Sequence, residues 1–270
     1  MFKSLIPLFL ISWACSGQAQ TLLISDIDDT IKLANVRNLF SAAAYAFDDR
    51  SEFTGMSQLY NIIVRDIPDV KVVYLSKAPS WLMSSTHLNF LANANFPQGD
   101  YIPRSTYSSD THKLRTLRNL IESEKPSRVI LVGDNGEQDA QVYAQISNEF
   151  SSKDIEFLQF IHIVYQNNLV PGQSTFLSRD QIGFVTPIEI SLELEKKNLL
   201  PSSAVVWMLA NVGSHILKQP LDTSEGNVAF PYYMDCSDFV WLWSKETVKY
   251  PQLIQLGKEL LERCHSSSAF

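Results

Sequence analysis

Four short runs rich in β-branched residues, separated by stretches of helical periodicity, constrain this chain more than any other feature. Residues 21–25, 70–75, 128–132 and 156–164 are bounded by polar or turn residues and read as strands. Between them, Met56, Leu59, Tyr60 and Ile63 recur at helical spacing, as do Trp81, Leu82, Leu88 and Leu91. Leu114, Leu117, Leu120 and Ile121 repeat the pattern, and so do Ala140, Tyr143, Ala144 and Ile146. Strands that alternate with helices pair in parallel, because a parallel neighbour is reached only through a crossover, and the helices then bury both faces. The expectation is an α/β domain over 20–177, with a Rossmann-like parallel sheet and helices on both faces. From about Ser178 the strand signal stops. Residues 184–199, 205–217 and 248–264 read as helices, so 178–270 is expected to be a mostly helical C-terminal extension packed on the core.

Such sheets present their chemistry at the carboxyl ends of the strands. The polar residues gather there. Asp26-Ile27-Asp28-Asp29-Thr30 follows the first strand, Ser76 the second, and Gly133-Asp134 with Asp139 the third, while Lys113 heads the Leu114 helix. Several carboxylates on one rim repel one another and hold each other's pKa up, so staying ionised requires a cation. Oxygen-only donors select a hard ion, of which Mg²⁺ is the default. Two Asp at i and i+2 can divide labour: one, ionised, attacks phosphorus, and the other, protonated, donates to the leaving oxygen and then activates water. A small hydroxyl and a Lys suit the oxygens of a transferring phosphoryl group. No Cys or His cluster competes for the role. Asp29 reads as a turn or cap residue, and His112 as a surface residue or a neighbour of the site. The formal charge of −7 argues against nucleic acid as a partner, since phosphate backbones are held by Lys and Arg.

The order Asp-x-Asp-x-Thr, strand-end Ser, Lys, then Gly-Asp-x4-Asp resembles the four motifs of the haloacid dehalogenase superfamily of phosphohydrolases. More narrowly, five stretches are similar to the catalytic domain of the actin-patch-type phosphatidate phosphatases. These are Ser25-Asp26-Ile27-Asp28-Asp29-Thr30-Ile31-Lys32, Gly55-Met56-Ser57-Gln58-Leu59-Tyr60, Tyr74-Leu75-Ser76-Lys77-Ala78-Pro79, Asn95-Phe96-Pro97-Gln98-Gly99 and Leu131-Val132-Gly133-Asp134-Asn135-Gly136-Glu137. The resemblance runs over residues 22–165 and fades beyond; Lys77 stands where the family carries a small residue. It implies that Asp26 is a nucleophile forming an aspartyl-phosphate, Asp28 the general acid/base, and Thr30 the residue that fixes the loop. Ser76 and Lys113 would bind phosphoryl oxygens. Mg²⁺ would be held by Asp26, the main-chain carbonyl of Asp28 and Asp134, with Asp139 as a second acidic partner. The fold implied is a haloacid dehalogenase-like core with a minimal cap, because neither gap between the motifs holds the ~50 residues a cap domain needs. An open site suits a phosphorylated lipid at a membrane surface, which the resemblance implies is phosphatidate, converted to diacylglycerol and phosphate. Two alternatives stand beside it: a phosphatase for soluble organophosphates, and a lipid- or protein-binding module on a catalytically weak phosphatase fold. A receiver domain also gathers acids, a hydroxyl and a Lys, but in a different chain order. Protein partners are not legible.

The N-terminus reads as an address. Lys3, the apolar run 5–14 and the small residues Gly17 and Ala19 have the three-part layout of a secretory signal cut after Ala19. Residues 1–19 are thus expected to be a signal peptide and the protein to be secreted or periplasmic. A lipoprotein acylated at Cys15 is the weaker reading, because bulky Trp13 precedes it. Beyond the signal no apolar run reaches the ~18 residues a spanning helix needs. Cys236 and Cys264 then form an even pair in an oxidising compartment, either disulfide-bonded or left as two buried thiols. Phe230, Tyr232, Tyr233, Met234, Phe239, Trp241 and Trp243 read as core of the extension, with a membrane-facing belt as the second reading.

Overall fold

The computed structural model describes residues 20–105, 111–167, 177–220 and 225–266, so the expected signal segment lies outside the described residues. In chain order the elements are β1 (Thr21–Ser25), α1 (Leu39–Tyr45), β2 (Glu52–Phe53), α2 (Met56–Asp66), β3 (Val70–Pro79), α3 (Ser80–Asn93), β4 (Asp100–Arg104), α4 (His112–Glu124), β5 (Arg128–Asp134), α5 (Asp139–Glu149), β6 (Glu156–His162) and β7 (Gln181–Phe184). There follow α6 (Pro187–Lys196), α7 (Ser202–Met208), α8 (Ser214–Ile216), β8 (Asn227–Val228) and α9 (Gln252–Ser266).

Six strands form one parallel sheet in the order β4-β3-β1-β5-β6-β7, and β2 pairs with β8 in a small second sheet. β1 is buried along its whole length between β3 and β5. Because both its faces are covered, its sequence carries a continuous apolar run and not an alternation. The chain steps from β1 outward through β3 to β4, then returns and steps through β5 and β6 to β7 on the other side. The direction reverses between β1 and β5, which opens a crevice at their carboxyl ends. The helices bury one stripe each: Met56, Leu59, Tyr60 and Ile63 of α2, Leu117 and Ile121 of α4, and Val142, Tyr143 and Ile146 of α5.

Four strands escape the periodicity reading: the two-residue β2 and β8 of the small sheet, and β4 and β7 at the edges of the large one. β4 has no fully buried residue and carries Pro103, which an edge strand tolerates because one side of its backbone has no neighbour to bond. β7 has four residues, one of them Gly183, and extends the sheet past Ser178, where the strands were expected to stop. β3 runs on to Pro79 through a register shift after Leu75, so Ser76 sits within the strand and not beyond its end.

The expected helices of the extension are present. α6 starts at Pro187, later than the apolar pattern suggests, because Thr186 caps it with Glu189 in a reciprocal capping box. A five-residue π-helical segment, Leu209–Gly213, joins α7 to α8. Phe230, Met234, Phe239 and Trp243 are buried in the core, whereas Tyr232 is 52% exposed. The Trp243 indole N–H donates to Glu193 Oε1 at 2.8 Å, giving this buried ring its polar partner. Cys236 and Cys264 form a disulfide that fastens α9 to the preceding irregular segment. Among the described residues no helix is long and apolar enough to cross a membrane.

The disulfide joins residues 28 positions apart. Constraining an unfolded loop of that length is worth about 3.6 kcal/mol in the chain-entropy model. Replacing both cysteines by serine is expected to lower the free energy of chemical unfolding by that amount. A loss under about 1 kcal/mol would show that the remaining contacts hold α9 by themselves.

Candidate active site

The peptide N–H of Asp26 continues the β1–β5 ladder, donating to the Val132 carbonyl at 2.9 Å. The chain then turns back on itself. The N–H groups of Thr30, Ile31 and Lys32 all point at the Ile27 carbonyl, at 3.3, 3.0 and 2.9 Å. The turn needs a left-handed residue, and Asp29 supplies it with φ +57°, a conformation that short polar side chains tolerate. On the neighbouring strand, Asp134 closes β5 and Asp139 opens α5. Gly133 is required there: a Cβ would collide with the Asp139 carboxylate, which lies directly against the strand.

The two acid loops meet. One carboxylate oxygen from each of Asp26, Asp134 and Asp139 lies within 4.8 Å of the others, and all three side chains are buried. Lys113, on the first turn of α4, donates to Asp26 Oδ1 at 2.6 Å and to Asp139 Oδ1 at 2.5 Å. The Thr30 hydroxyl donates to Asp26 Oδ2 at 3.2 Å. Three carboxylates thus face one ammonium. Burial pushes the Asp26 carboxyl well above the usual range; Lys113 pulls it back, and Asp139 and Asp28 push it further. Asp134 is raised by burial, then by Asp139 and Asp26. Burial alone would lower the Lys113 ammonium, but Asp139 and Asp26 hold it well above its ordinary value.

Asp134 Oδ1 accepts from the N–H groups of Gly136 and Glu137 at 2.5 and 3.2 Å, whereas its Oδ2 is buried without any partner. An orphaned carboxylate oxygen, an all-oxygen donor set and an excess of negative charge fit a hard divalent cation. The Asp28 carboxylate lies outside this group of three. It is partly exposed, and its Oδ1 lies 3.2 Å from His87 Nε2. Burial raises the Asp28 carboxyl, but His87, Lys32 and Lys113 outweigh it and leave the pKa lowered.

Ser76 is fully buried, and its hydroxyl accepts from the Ala78 N–H at 3.0 Å. The register that sets Ser25 opposite Tyr74 puts Ser76 level with the start of the acid loop. A shallow cavity of about 350 Å³ opens over the cluster, lined by Asp26, Asp28, Lys77, Arg104 and Glu137 together with Val36 and Ala42. Lys77 reaches Glu137 across it at 3.3 Å. A larger cleft of about 990 Å³, lined by Arg65, Glu195, Lys196 and Lys249, contains none of the motif residues.

Three residues carry more than their sequence reading. Asp29 is a buried hub. It accepts from the N–H groups of Ala34, Asn35 and Val36 at 3.0, 2.8 and 2.8 Å, and from the hydroxyls of Tyr165 and Tyr233. Lys32 is fully buried, its ammonium on the carbonyls of Leu33 and Tyr45 at 3.1 and 2.8 Å. His87 sits inside an apolar helical pattern and gives no local signal. His112, expected at the surface or beside the site, is buried next to Lys113.

A family model described as "Phosphatidate phosphatase APP1, catalytic domain" matches residues 21–158, a span that includes every motif residue above. Phosphatidate phosphatase APP1 of Saccharomyces cerevisiae is 30% identical over 144 residues, covering 48% of this chain and 24% of that protein. An uncharacterized protein of Schizosaccharomyces pombe is 27% identical over 144 residues, with 48% of this chain and 23% of that protein covered. The match therefore spans about a quarter of the length of these relatives. Among solved structures, a class C acid phosphatase from Bacillus anthracis with tungstate bound superposes with a TM-score of 0.37 at 13% identity, over 53% of this chain and 66% of that one. The Pnkp1/Rnl/Hen1 complex gives 0.35 at 15% identity, over 54% and 47%.

Lys113→Met removes the one ammonium from the buried cluster. Stripping a partner from a buried ion pair costs about 3–5 kcal/mol. The sign with pH follows from the raised carboxyls: their neutral forms are favoured in the folded state, so stability is fullest below their unfolded pKa and is lost as pH rises. In EDTA, Lys113→Met is expected to cost more stability at pH 8 than at pH 5 by chemical denaturation. An equal cost at both would mean that Lys113 does not balance these acids.

Proposed function

The chain belongs to the family of the phosphatidate phosphatase APP1 catalytic domain, a phosphatase family, and from that premise we propose that it is a Mg²⁺-dependent phosphomonoester hydrolase. It acts through an aspartyl-phosphate at Asp26, and its substrate is a phosphorylated lipid, phosphatidate. The observation that carries the reading is the junction of the two acid loops: Asp26, Asp134 and Asp139 share one buried cluster with Lys113, while Asp28 stands apart in the mouth.

The carboxylates of Asp26, Asp134 and Asp139, with the Asp28 main-chain carbonyl, would hold the cation. When bound, it neutralises the excess carboxylate charge and offsets the charge of the transferring phosphoryl group. The chain's own residues do the rest. An Asp26 carboxylate oxygen attacks phosphorus, and the bond to the leaving oxygen breaks. Asp28, held as a carboxylate in the free site by His87, Lys32 and Lys113, takes up the proton that a phosphate monoester monoanion carries in and gives it to the leaving oxygen, so the alcohol departs neutral. The Asp28 carboxylate then takes a proton from water, whose oxygen attacks phosphorus. The bond to Asp26 breaks, and inorganic phosphate leaves. Thr30 donates to one Asp26 oxygen and Lys113 to the other, so the two together set the plane of the attacking carboxylate. Lys113 and Ser76 steady the phosphoryl oxygens; the Ser76 hydroxyl already accepts from Ala78 and has its own proton to donate.

The lipid reading draws support from the mouth. The chain between Thr30 and Ser76 forms α1, β2, α2 and β3, and α3 and β4 follow before Lys113. Most of each gap is thus taken up by core elements, while the short, partly exposed α1 reaches the mouth through Ala42. Among the described residues, every one that lines the mouth lies between Asp26 and Glu137, and none belongs to the C-terminal extension. Export is supported by the disulfide, which persists in oxidising compartments.

Asp26→Asn is expected to lower kcat by at least ~1000-fold with the fold intact, because the nucleophile is gone. Asp28→Asn should cost much less on p-nitrophenyl phosphate than on phosphatidate, since an acidic leaving group needs little protonation. EDTA should abolish turnover and Mg²⁺ restore it. A phosphate-release screen over phosphatidate, lysophosphatidate, diacylglycerol pyrophosphate and sugar phosphates separates lipid from soluble substrates. Near-normal activity of Asp26→Asn would sink the assignment of roles.

A further inference from the structure

His87 lies midway along α3 and is fully buried, although the helix carries it within reach of the mouth. Its Nε2 is 3.2 Å from Asp28 Oδ1, and its Nδ1 is 3.1 Å from the Tyr101 hydroxyl on β4. The Tyr101 ring stands edge-on to the imidazole, with centroids 5.9 Å apart. Most buried side-chain hydrogen bonds end on backbone or water. Here both ring nitrogens end on side chains, and one of those is an acid that lines the site.

The geometry points to His87 as a positioning residue for Asp28, held in its own place by Tyr101. The inference rests on the phosphomonoesterase reading, in which Asp28 is the general acid, and adds to it what selects the working oxygen. A Tyr101 O–H donated to Nδ1 fixes the ring proton on Nε2. That Nε2–H then donates to Asp28 Oδ1. The carboxyl is left with Oδ2 as the atom that carries the proton, and its plane is set by a fully buried ring bonded at both nitrogens. The restraint matters because Asp28 is partly exposed, with 19% of its side chain accessible, and among the described residues no other hydrogen bond holds its carboxylate. A general acid works only when its proton is within hydrogen-bond reach of the departing oxygen, and an acid free to rotate spends most of its time elsewhere. Asp29 and Lys32, also buried beside the loop, bond chiefly to backbone and tyrosine hydroxyls and so hold the loop and not the acid.

The test compares the wild type with His87→Leu, His87→Gln and Tyr101→Phe in Mg²⁺. The substrates are graded from p-nitrophenyl phosphate through phenyl phosphate to an alkyl phosphate. A residue that acts through the general acid matters more as the leaving group becomes more basic. His87→Leu is expected to lose roughly 30-fold or more in kcat/KM on the alkyl phosphate and under about 3-fold on p-nitrophenyl phosphate. His87→Gln, whose amide can still donate to Asp28, should fall between. Tyr101→Phe removes one hydroxyl from a partly exposed ring; it should show a smaller loss with the same slope and an unchanged unfolding midpoint. In an Asp28→Asn background, His87→Leu should add no dependence on the leaving group. Equal losses across the series in His87→Leu and Tyr101→Phe would leave His87 a packing residue and overturn the inference alone. A wild type that releases phosphate from none of the substrates would overturn the parent reading and the inference together.

Discussion

Three buried carboxylates share one ammonium, and the architecture around them follows from that imbalance. At an effective dielectric near 20, two unit charges at the 4.8 Å limit that bounds this cluster repel by about 3.5 kcal/mol. A domain's whole margin of stability is about 5–15 kcal/mol. The cluster therefore survives only where its backbone is fixed by something stronger than itself. The sheet provides this: β1 and β5 are adjacent and central, and each ends in an acid. The chain adds strands to one side of β1 and then to the other, and this reversal of order at the parallel β1–β5 pair leaves the acids at the head of a crevice. Lys113 approaches from α4 and satisfies Asp26 and Asp139 together, leaving Asp134 with an unpartnered oxygen.

The loops bearing these acids are tied by a second set of polar contacts, made by residues without a chemical role. The Asp29 carboxylate gathers three backbone N–H groups and two tyrosine hydroxyls, which settles the direction of the chain after the turn. Asn135 does the same for the other loop: its Oδ1 accepts from Val164 and Tyr165, both at 3.0 Å, and its Nδ2 donates to the Tyr165 carbonyl at 2.6 Å. Arg37 joins the two loops, donating to the carbonyls of Gly136 and Asn135 while its guanidinium lies 4.5 Å above the Tyr165 ring. Tyr233 comes from the C-terminal extension and completes the Asp29 hub from behind. The extension thus contributes to the rigidity of the acid loop, and the pairing of β2 with β8 is a second stitch between the halves.

What was legible in the sequence, and what was not, divides by the range of the signal. β1, β5 and β6 announce themselves because a doubly covered parallel strand must be apolar throughout. The acids were legible because a run of carboxylates directly after such a strand is costly without a compensating partner. Gly133 before Asp134 is local too, since the close approach of Asp139 forbids a side chain there. β4 and β7 were missed because edge strands are short and half-exposed, and neither stands out from a loop. Asp29 was read as a turn residue, which its φ confirms, but the five donors it collects come from three separate regions of the chain. His87 was invisible for the same reason: on an apolar helix face it looks like core, and only the docking of α3 against the sheet brings it to Asp28 and Tyr101.

The division of labour this implies is specific. Among the described residues the extension supports the acid loop through Tyr233, while the mouth is lined by residues of the catalytic half. Selection falls to the rim, where Val36 and Ala42 supply the apolar side and Lys77, Arg104 and Glu137 the charged side. Lys77 and Glu137 face each other at 3.3 Å, both partly exposed. A pair of that kind is worth at most about 1 kcal/mol. It adds no net charge to the mouth, and its partners separate at little cost. Lys77 therefore shapes the rim without blocking it: the ammonium is parked on Glu137, within the same cavity as Asp26 and Asp28.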